Sequence, residues 1–283
     1  VHDDDFVREL VSTSTHDFLL FFTNLGRVYR LKAYEIPEYG RTAKGLPAVN
    51  LLKLDEDETI QAIINIREKD IQEHYFFFTT RLGVVKRTSV SEFSNIRQNG
   101  LRAINLKESD RLINVLLTAG DDDIIIGTQF GYSVRFKEST VRNMGRTATG
   151  VRGVNLRDND KVVGVSCVTD DQEILTITEY GYGKRTIASE YPTKGRGGKG
   201  IKTTNITDKN GLLAGLVTVN GNEDVMIITD TGVIIRTSVE DISQTGRATL
   251  GVKVMRIDQD AKIVTFALVQ PEEYDEEVDT DSE

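Results

Sequence analysis

A six-residue slot, Gly-Arg-x-x-x-Gly, recurs along this chain at a nearly fixed interval. It reads Gly40-Arg-Thr-Ala-Lys-Gly45, Gly145-Arg-Thr-Ala-Thr-Gly150, Gly195-Arg-Gly-Gly-Lys-Gly200 and Gly246-Arg-Ala-Thr-Leu-Gly251, with a degenerate copy, Asn95-Ile-Arg-Gln-Asn-Gly100. The closing glycines fall at 45, 100, 150, 200 and 251, a period of about 50 residues. Such a period restricts the fold to a solenoid, a propeller or an array, because each unit must bury its apolar face against its neighbours.

Each period opens with a short apolar run: Phe18–Phe22, Tyr75–Phe78, Asp123–Ile126, Glu173–Ile177 and Asp224–Ile228. These runs are rich in β-branched and aromatic residues and are bounded by turn signals, which predicts strands buried on both faces. A Thr-x-x-Gly turn follows, ending at Gly26, Gly83, Gly131, Gly181 and Gly232. The glycine predicts a short hairpin with one residue at positive φ. The returning strand carries an arginine four residues after the glycine: Arg30, Arg87, Arg135, Arg185 and Arg236. A connector leads to the slot. Then come a strand such as Val151–Leu156 or Val252–Ile257, an acidic turn, and a last apolar strand such as Leu112–Leu117 or Val162–Val168. Four strands per period is the arithmetic of a propeller blade, and no helix longer than a turn or two is expected. Residues 3–12 match the closing part of a repeat. The expectation is five full repeats plus part of a sixth, cut from a longer protein within a blade.

The net charge of −9 hides a segregated distribution. Residues 271–283 carry eight acids and no base, and residues 1–17 carry five acids and one Arg. The windows 26–45, 83–102, 131–152, 181–202 and 232–253 together hold 23 bases against 7 acids. One sign of charge at one place in every repeat makes a basic stripe when the repeats stack or close. The expected organisation is a folded domain over 1–270 and an acidic, disordered tail over 271–283.

Catalytic constellations are not evident. Gly195–Gly200 fits G-x-G-x-x-G by letter, but a strand rather than a helix is expected after it, and Gly200 stands where a P-loop needs Ser or Thr. His2, His16 and His74 are far apart and have no cysteine near them, so no metal is expected, and no cofactor either. The acids of the linking turns read as solvated. The one cysteine, Cys167, reads as a small buried hydrophobe and rules out a disulfide framework, which suits a reducing cytosol. No signal peptide and no apolar run near 18 residues is found, so no membrane span and a cytoplasmic location are expected.

What remains is a surface that contacts phosphates. Glycine-loop amides approach a phosphate closely, and the embedded bases supply charge. The candidate DNA-binding residues are Arg30, Arg41, Lys44, Arg87, Arg97, Arg102, Arg135, Arg146, Arg152, Arg185, Lys194, Arg196, Lys199, Arg236, Arg247 and Lys253. Five repeats neutralising about two phosphates each give a log–log salt slope of roughly −9 on duplex DNA. No aromatic is interleaved in the slots and nothing resembles a base-reading helix, so the expected binding is sequence-tolerant.

Thr15-His-Asp17, Gly26-Arg-Val-Tyr29, Arg135-Phe-Lys-Glu-Ser139, Thr149-Gly-Val-Arg-Gly153, Gly181-Tyr-Gly-Lys-Arg-Thr186 and Glu190-Tyr-Pro-Thr193, with the acidic end, resemble the C-terminal domain family of bacterial DNA gyrase A. The resemblance implies a six-bladed β-pinwheel whose blades exchange strands. It implies a basic rim that wraps double-stranded DNA for negative supercoiling, and partners in the rest of DNA gyrase A and in DNA gyrase B. It places the catalytic tyrosine and the ATPase elsewhere in that enzyme. The family's signature box, Gln-(Lys/Arg)-Arg-Gly-Gly-(Lys/Arg)-Gly, sits in the first blade. Thr193–Gly200 looks similar but occupies another repeat and lacks the Gln. The matching domain of topoisomerase IV, or a propeller scaffold for protein partners, are the alternatives.

Overall fold

The computed structural model describes residues 17–32, 51–97 and 99–269. The first repeat supplies β1 (Phe18–Thr23), β2 (Arg27–Lys32) and β3 (Ile60–Ile66). The second supplies β4 (Tyr75–Thr80), β5 (Val84–Ser89), β6 (Leu101–Arg102) and β7 (Leu112–Thr118). The third supplies β8 (Asp123–Thr128), β9 (Tyr132–Lys137), β10 (Val151–Arg152) and β11 (Val162–Val168). The fourth supplies β12 (Glu173–Thr178), β13 (Tyr182–Ile187), β14 (Ile201–Lys202) and β15 (Leu213–Val219). The fifth supplies β16 (Asp224–Thr229), β17 (Ile234–Ser238), β18 (Val252–Lys253) and β19 (Ile263–Val269).

The hairpins form where the Thr-x-x-Gly turns predict them. At each turn the threonine closes the loop twice. Its carbonyl accepts the glycine N–H, as in Gly131 to Thr128 at 3.0 Å. Its hydroxyl accepts the N–H of the residue after the glycine, as in Val84 to Thr80 at 3.1 Å. The glycines sit at φ between 79° and 87°, where a side chain would be strained.

The hairpin strands assemble into five antiparallel sheets: β3-β1-β2-β6, β10-β5-β4-β7, β11-β8-β9-β14, β15-β12-β13-β18 and the three-stranded β17-β16-β19. The blades exchange strands. β6 follows the second hairpin in sequence but pairs on β2 of the first, with Arg27 opposite Arg102 and Val28 opposite Leu101. In the same way β10 pairs on β5, β14 on β9 and β18 on β13. Every repeat from the second to the fifth thus lends its post-slot strand to the blade before it.

Five sheets are seen among the described residues, and residues 3–12, expected to be part of a sixth repeat, lie outside them. Two expectations need correction. The post-slot strand has two residues rather than six, because the chain then folds over the neighbouring hairpin turn. Gly153 and Val154 both donate their N–H to the carbonyl of Gly83, at 2.8 and 3.3 Å. Nor are the turn acids all solvated. Glu58, Asp110, Glu138, Asp160 and Glu223 are buried. Asp160 accepts the N–H groups of Phe130 and Lys161, and Glu138 accepts those of Gly120 and Asp122 together with the Thr118 hydroxyl. Buried carboxylates are tolerated because backbone donors satisfy them.

The first strand of each hairpin is the most buried, and β4 buries Phe76, Phe77 and Phe78 completely. Phe22, Phe76, Phe78 and Phe93 stack across the first two blades, with Phe22 edge-on to Phe76 at 5.1 Å and Phe76 edge-on to Phe93 at 5.2 Å. Cys167 packs partly buried against the next core cluster, and burial pushes its thiol up to about 12. The closing strands β7, β11, β15 and β19, with Gln61 of β3, surround a cavity of about 560 Å³. The exchanged two-residue strands lie at the opposite, outer edge of their sheets.

Candidate nucleic-acid interface

The outer edge is built from the slots and the exchanged strands. Each exchanged strand ends in an exposed base: Arg102 on β6, Arg152 on β10, Lys202 on β14 and Lys253 on β18. The main-chain carbonyl of three of these bases is held by the slot arginine of the next repeat. Nη1 of Arg146 donates to Arg102 O at 2.6 Å, Nη1 of Arg196 to Arg152 O at 2.6 Å, and Nη1 of Arg247 to Lys202 O at 2.7 Å. The three slot arginines are accordingly half-buried, while Arg97, Lys194 and Lys199 are exposed. The slot arginines therefore act as links along the edge, and the bases around them face solvent. Arg41 and Lys44 lie outside the described residues.

Slot geometry depends on its closing glycine. Gly150 has φ of +107°, and a Cβ there would stand 2.3 Å from the Val85 carbonyl oxygen. Within the slot the Ala148 N–H donates to Gly145 O, and the Ala148 carbonyl accepts the Asn105 N–H of the preceding repeat. The slot is thus a turn laid directly on the neighbouring blade.

The five hairpin arginines share one register, opposite Leu20, Phe77, Ile125, Leu175 and Met226. They do not form an open basic face. Arg30 donates to Ser94 O and lies 4.9 Å from the Phe18 ring; Arg87 donates to Gly120 O and lies 4.4 Å from the Tyr75 ring. Arg135, only 6% exposed, is ion-paired to Asp123 at 2.9 Å and Asp170 at 2.8 Å and donates to Ala188 O and Tyr191 O. Arg185 pairs with Glu173 and donates to Ile242 O, and Arg236 pairs with Asp224. Position by position, the first residue of each hairpin (Phe18, Tyr75, Asp123, Glu173, Asp224) covers the arginine with a ring or a carboxylate. Hydrogen bonds from Thr193 and Arg135 hold the Asp123 carboxyl below its usual range despite its burial. Arg30, Arg87, Arg135 and Arg185 thus clamp their blades to the connector of the next repeat, Arg87 through Glu138.

Two groups went unread in the sequence. Lys202 occupies the register of Arg102 and Arg152, and alignment of the repeats on their slots would have found it. Lys86 and Lys184 are buried beneath slots, and no local pattern marks them.

Residues 17–67, 74–119, 122–169, 172–220 and 223–270 match the family model described as DNA gyrase C-terminal domain, beta-propeller. The chain belongs to this DNA gyrase C-terminal domain family. Its five matched segments coincide with the five repeats, each running from the start of a hairpin to just beyond the end of a closing strand. DNA gyrase A of Streptococcus pyogenes serotype M3 (strain ATCC BAA-595 / MGAS315) is 77% identical over 284 residues, which cover 100% of this chain and 34% of that protein. The chain thus spans about a third of the length of the curated relatives it matches. Among solved structures, the C-terminal domain of a DNA topoisomerase IV superposes with a TM-score of 0.84 at 29% identity, covering 90% of this chain and 80% of that one. A DNA gyrase A C-terminal domain superposes with a TM-score of 0.76 at 26% identity, covering 90% and 83%. No described helix is long and apolar enough to cross a membrane.

Proposed function

We infer that this gyrase-family domain binds double-stranded DNA along its outer edge without reading sequence, bends it, and so serves negative supercoiling by a cytoplasmic, ATP-dependent type II topoisomerase. The observation that carries this reading is the set of exposed bases on the exchanged strands, Arg102, Arg152, Lys202 and Lys253, the first three with their carbonyls held by the slot arginines. Fixed backbone with mobile cationic tips suits phosphate contact, which positions DNA but carries no base information. The catalytic and ATP-binding parts are assigned to the rest of DNA gyrase A and to DNA gyrase B.

The hairpin arginines are committed to carboxylates, rings and carbonyls, so they are removed from the count of phosphate contacts. Arg97, Arg102, Arg152, Lys194, Lys199, Lys202 and Lys253 remain as exposed candidates. About seven contacts give a log–log salt slope of roughly −6. A sixth blade is part of the proposal. The sheet β17-β16-β19 has no fourth strand among the described residues, and a further repeat would supply one by the exchange seen in the other four.

The test is a salt-series titration of the full chain against duplexes of unrelated sequence, paired with relaxation of closed circular DNA in its presence. Equal affinities, a steep slope and a shifted linking number are expected. Salt-insensitive retention, or none, would replace this reading with a scaffold for protein partners.

A further inference from the structure

Three residues after each hairpin glycine stand Tyr29, Lys86, Val134 and Lys184, each beneath the slot of the following repeat, and, in the last repeat, Ile235. The two lysines are fully buried, at 0% and 1% exposed. Lys184 Nζ donates to the carbonyls of Gly246 at 3.0 Å, Arg247, and Thr249 at 3.0 Å, three carbonyls of one slot. Lys86 Nζ donates to Arg146 O in the slot of its neighbour and to Ala103 O just past β6, and lies 4.8 Å from the Phe78 ring. Where Val134 replaces the lysine, a cavity of about 280 Å³ remains under Gly195–Gly200, bounded by Tyr191, Ile201 and the loop itself.

We propose that Lys86 and Lys184 are positioning residues for DNA binding, whose buried amino groups hold the slots 145–150 and 246–251 in shape so that the bases around them meet phosphate. The lysines touch no solvent and hence no DNA. Their effect passes through the slot backbone: Lys184 holds the carbonyl of Arg247, whose own guanidinium holds Lys202 O. An ammonium has three N–H donors, and three inward-facing carbonyls in one turn are a matching acceptor set. Without the cation these carbonyls lose their buried partner and the turn has no reason to stay closed. The slot 195–200, richest in glycine, lacks this clamp and is left adaptable. The role presupposes the DNA reading above.

The experiment compares the full chain with K86M, K184M, K184Q and V134K, by amide hydrogen exchange within each slot and by DNA titration over a salt series. K184M is expected to speed exchange in 246–251 by about tenfold, the loss of roughly one to two hydrogen bonds, and to leave 195–200 unchanged. Its DNA affinity falls several-fold and its salt slope becomes shallower by about one unit. K184Q, which keeps N–H donors, recovers part of both. V134K slows exchange in 195–200, so general loss of stability cannot imitate the whole set. K184M binding DNA with wild-type affinity and slope would overturn the positioning role while leaving the DNA reading intact. A wild-type chain without salt-dependent binding would overturn both.

Discussion

The Arg196 side chain reaches out of its own repeat: its Nη1 donates to the carbonyl oxygen of Arg152 at 2.6 Å. This bond ties the slot of one blade to the exchanged strand that completes the sheet behind it. Slot arginine and exposed slot lysine therefore have different duties. R196A should lower both stability, by about 1 kcal/mol, and DNA affinity. K199A should leave the melting temperature unchanged and make the salt slope shallower by about one unit. Thermal melts and salt titrations of the two variants separate these outcomes.

Gly150 and Gly195 make a second contrast. At Gly150 a methyl group would meet Val85 O at 2.3 Å with φ at +107°, whereas at Gly195 nothing lies within 4 Å. G150A should cost more than about 1 kcal/mol, through steric overlap and unfavourable φ, and G195A should cost nothing. Denaturant midpoints report the difference.

Arg135 is a stability residue on this geometry. R135A would leave Asp123 without its buried partner and expose the Ala188 and Tyr191 carbonyls, at a cost of about 3–5 kcal/mol. The corresponding R236A, at an ion pair whose arginine side chain is 39% exposed, should cost less than about 1 kcal/mol. If R135A unfolded no more easily than wild type while losing DNA binding, the hairpin arginines would return to the DNA face.

Lys86 predicts a pH effect. Burial, opposed by Glu92 and reinforced by Arg146, lowers its pKa from 10.5 to about 7. Between those values the unfolded chain binds more protons here than the folded chain, so this group makes stability rise with pH, and below about 7 the gain is absent. The wild type should therefore gain more stability than K86M between pH 6.5 and 9, by at most about 1.4 kcal/mol per pH unit. Unfolding free energies at the two pH values measure it. The two carbonyls on Lys86 can be served by a neutral amine, whereas Lys184, lowered to about 8 by burial, needs all three protons.

The acidic run 271–283 lies outside the described residues. With eight acids and no base, it is proposed to compete with DNA for the nearby part of the basic edge. Under this proposal a 13-residue run with random-coil statistics would reach about 20 Å. Removing it should raise DNA affinity several-fold at low salt and little at high salt, where the charges are screened. Superimposable titrations at both salt concentrations would make the tail a solubiliser only.

The hairpins, the closing strands and the period were legible because each is local. Thr128 and Gly131 announce their turn within four residues, and Val162–Val168 announces its burial by composition. The exchange of β10 onto β5 was not legible from the residues, since two residues carry too little pattern to name a partner some 65 positions away; the family resemblance implied it. Arginine roles failed for a related reason. Arg135 and Arg152 look alike in sequence, yet one is 6% exposed among carboxylates and the other faces solvent. What separates them is the acid at Asp123, twelve residues earlier, which matters only once β8 and β9 pair.

Strand lending also sets the rule for changing the size of the molecule. Each hairpin borrows from whichever repeat comes next, and the borrowed strands present an alternating pair of one apolar and one basic residue: Leu101-Arg102, Val151-Arg152, Ile201-Lys202, Val252-Lys253. The lender is therefore interchangeable at the level of backbone pairing. Excising one whole period, wherever the cut falls, leaves the same kind of strand waiting for every remaining borrower, whereas excising a visible blade strands one edge and orphans another. On this geometry the molecule can lengthen or shorten by whole repeats of about 50 residues without leaving a borrowed pairing unmade.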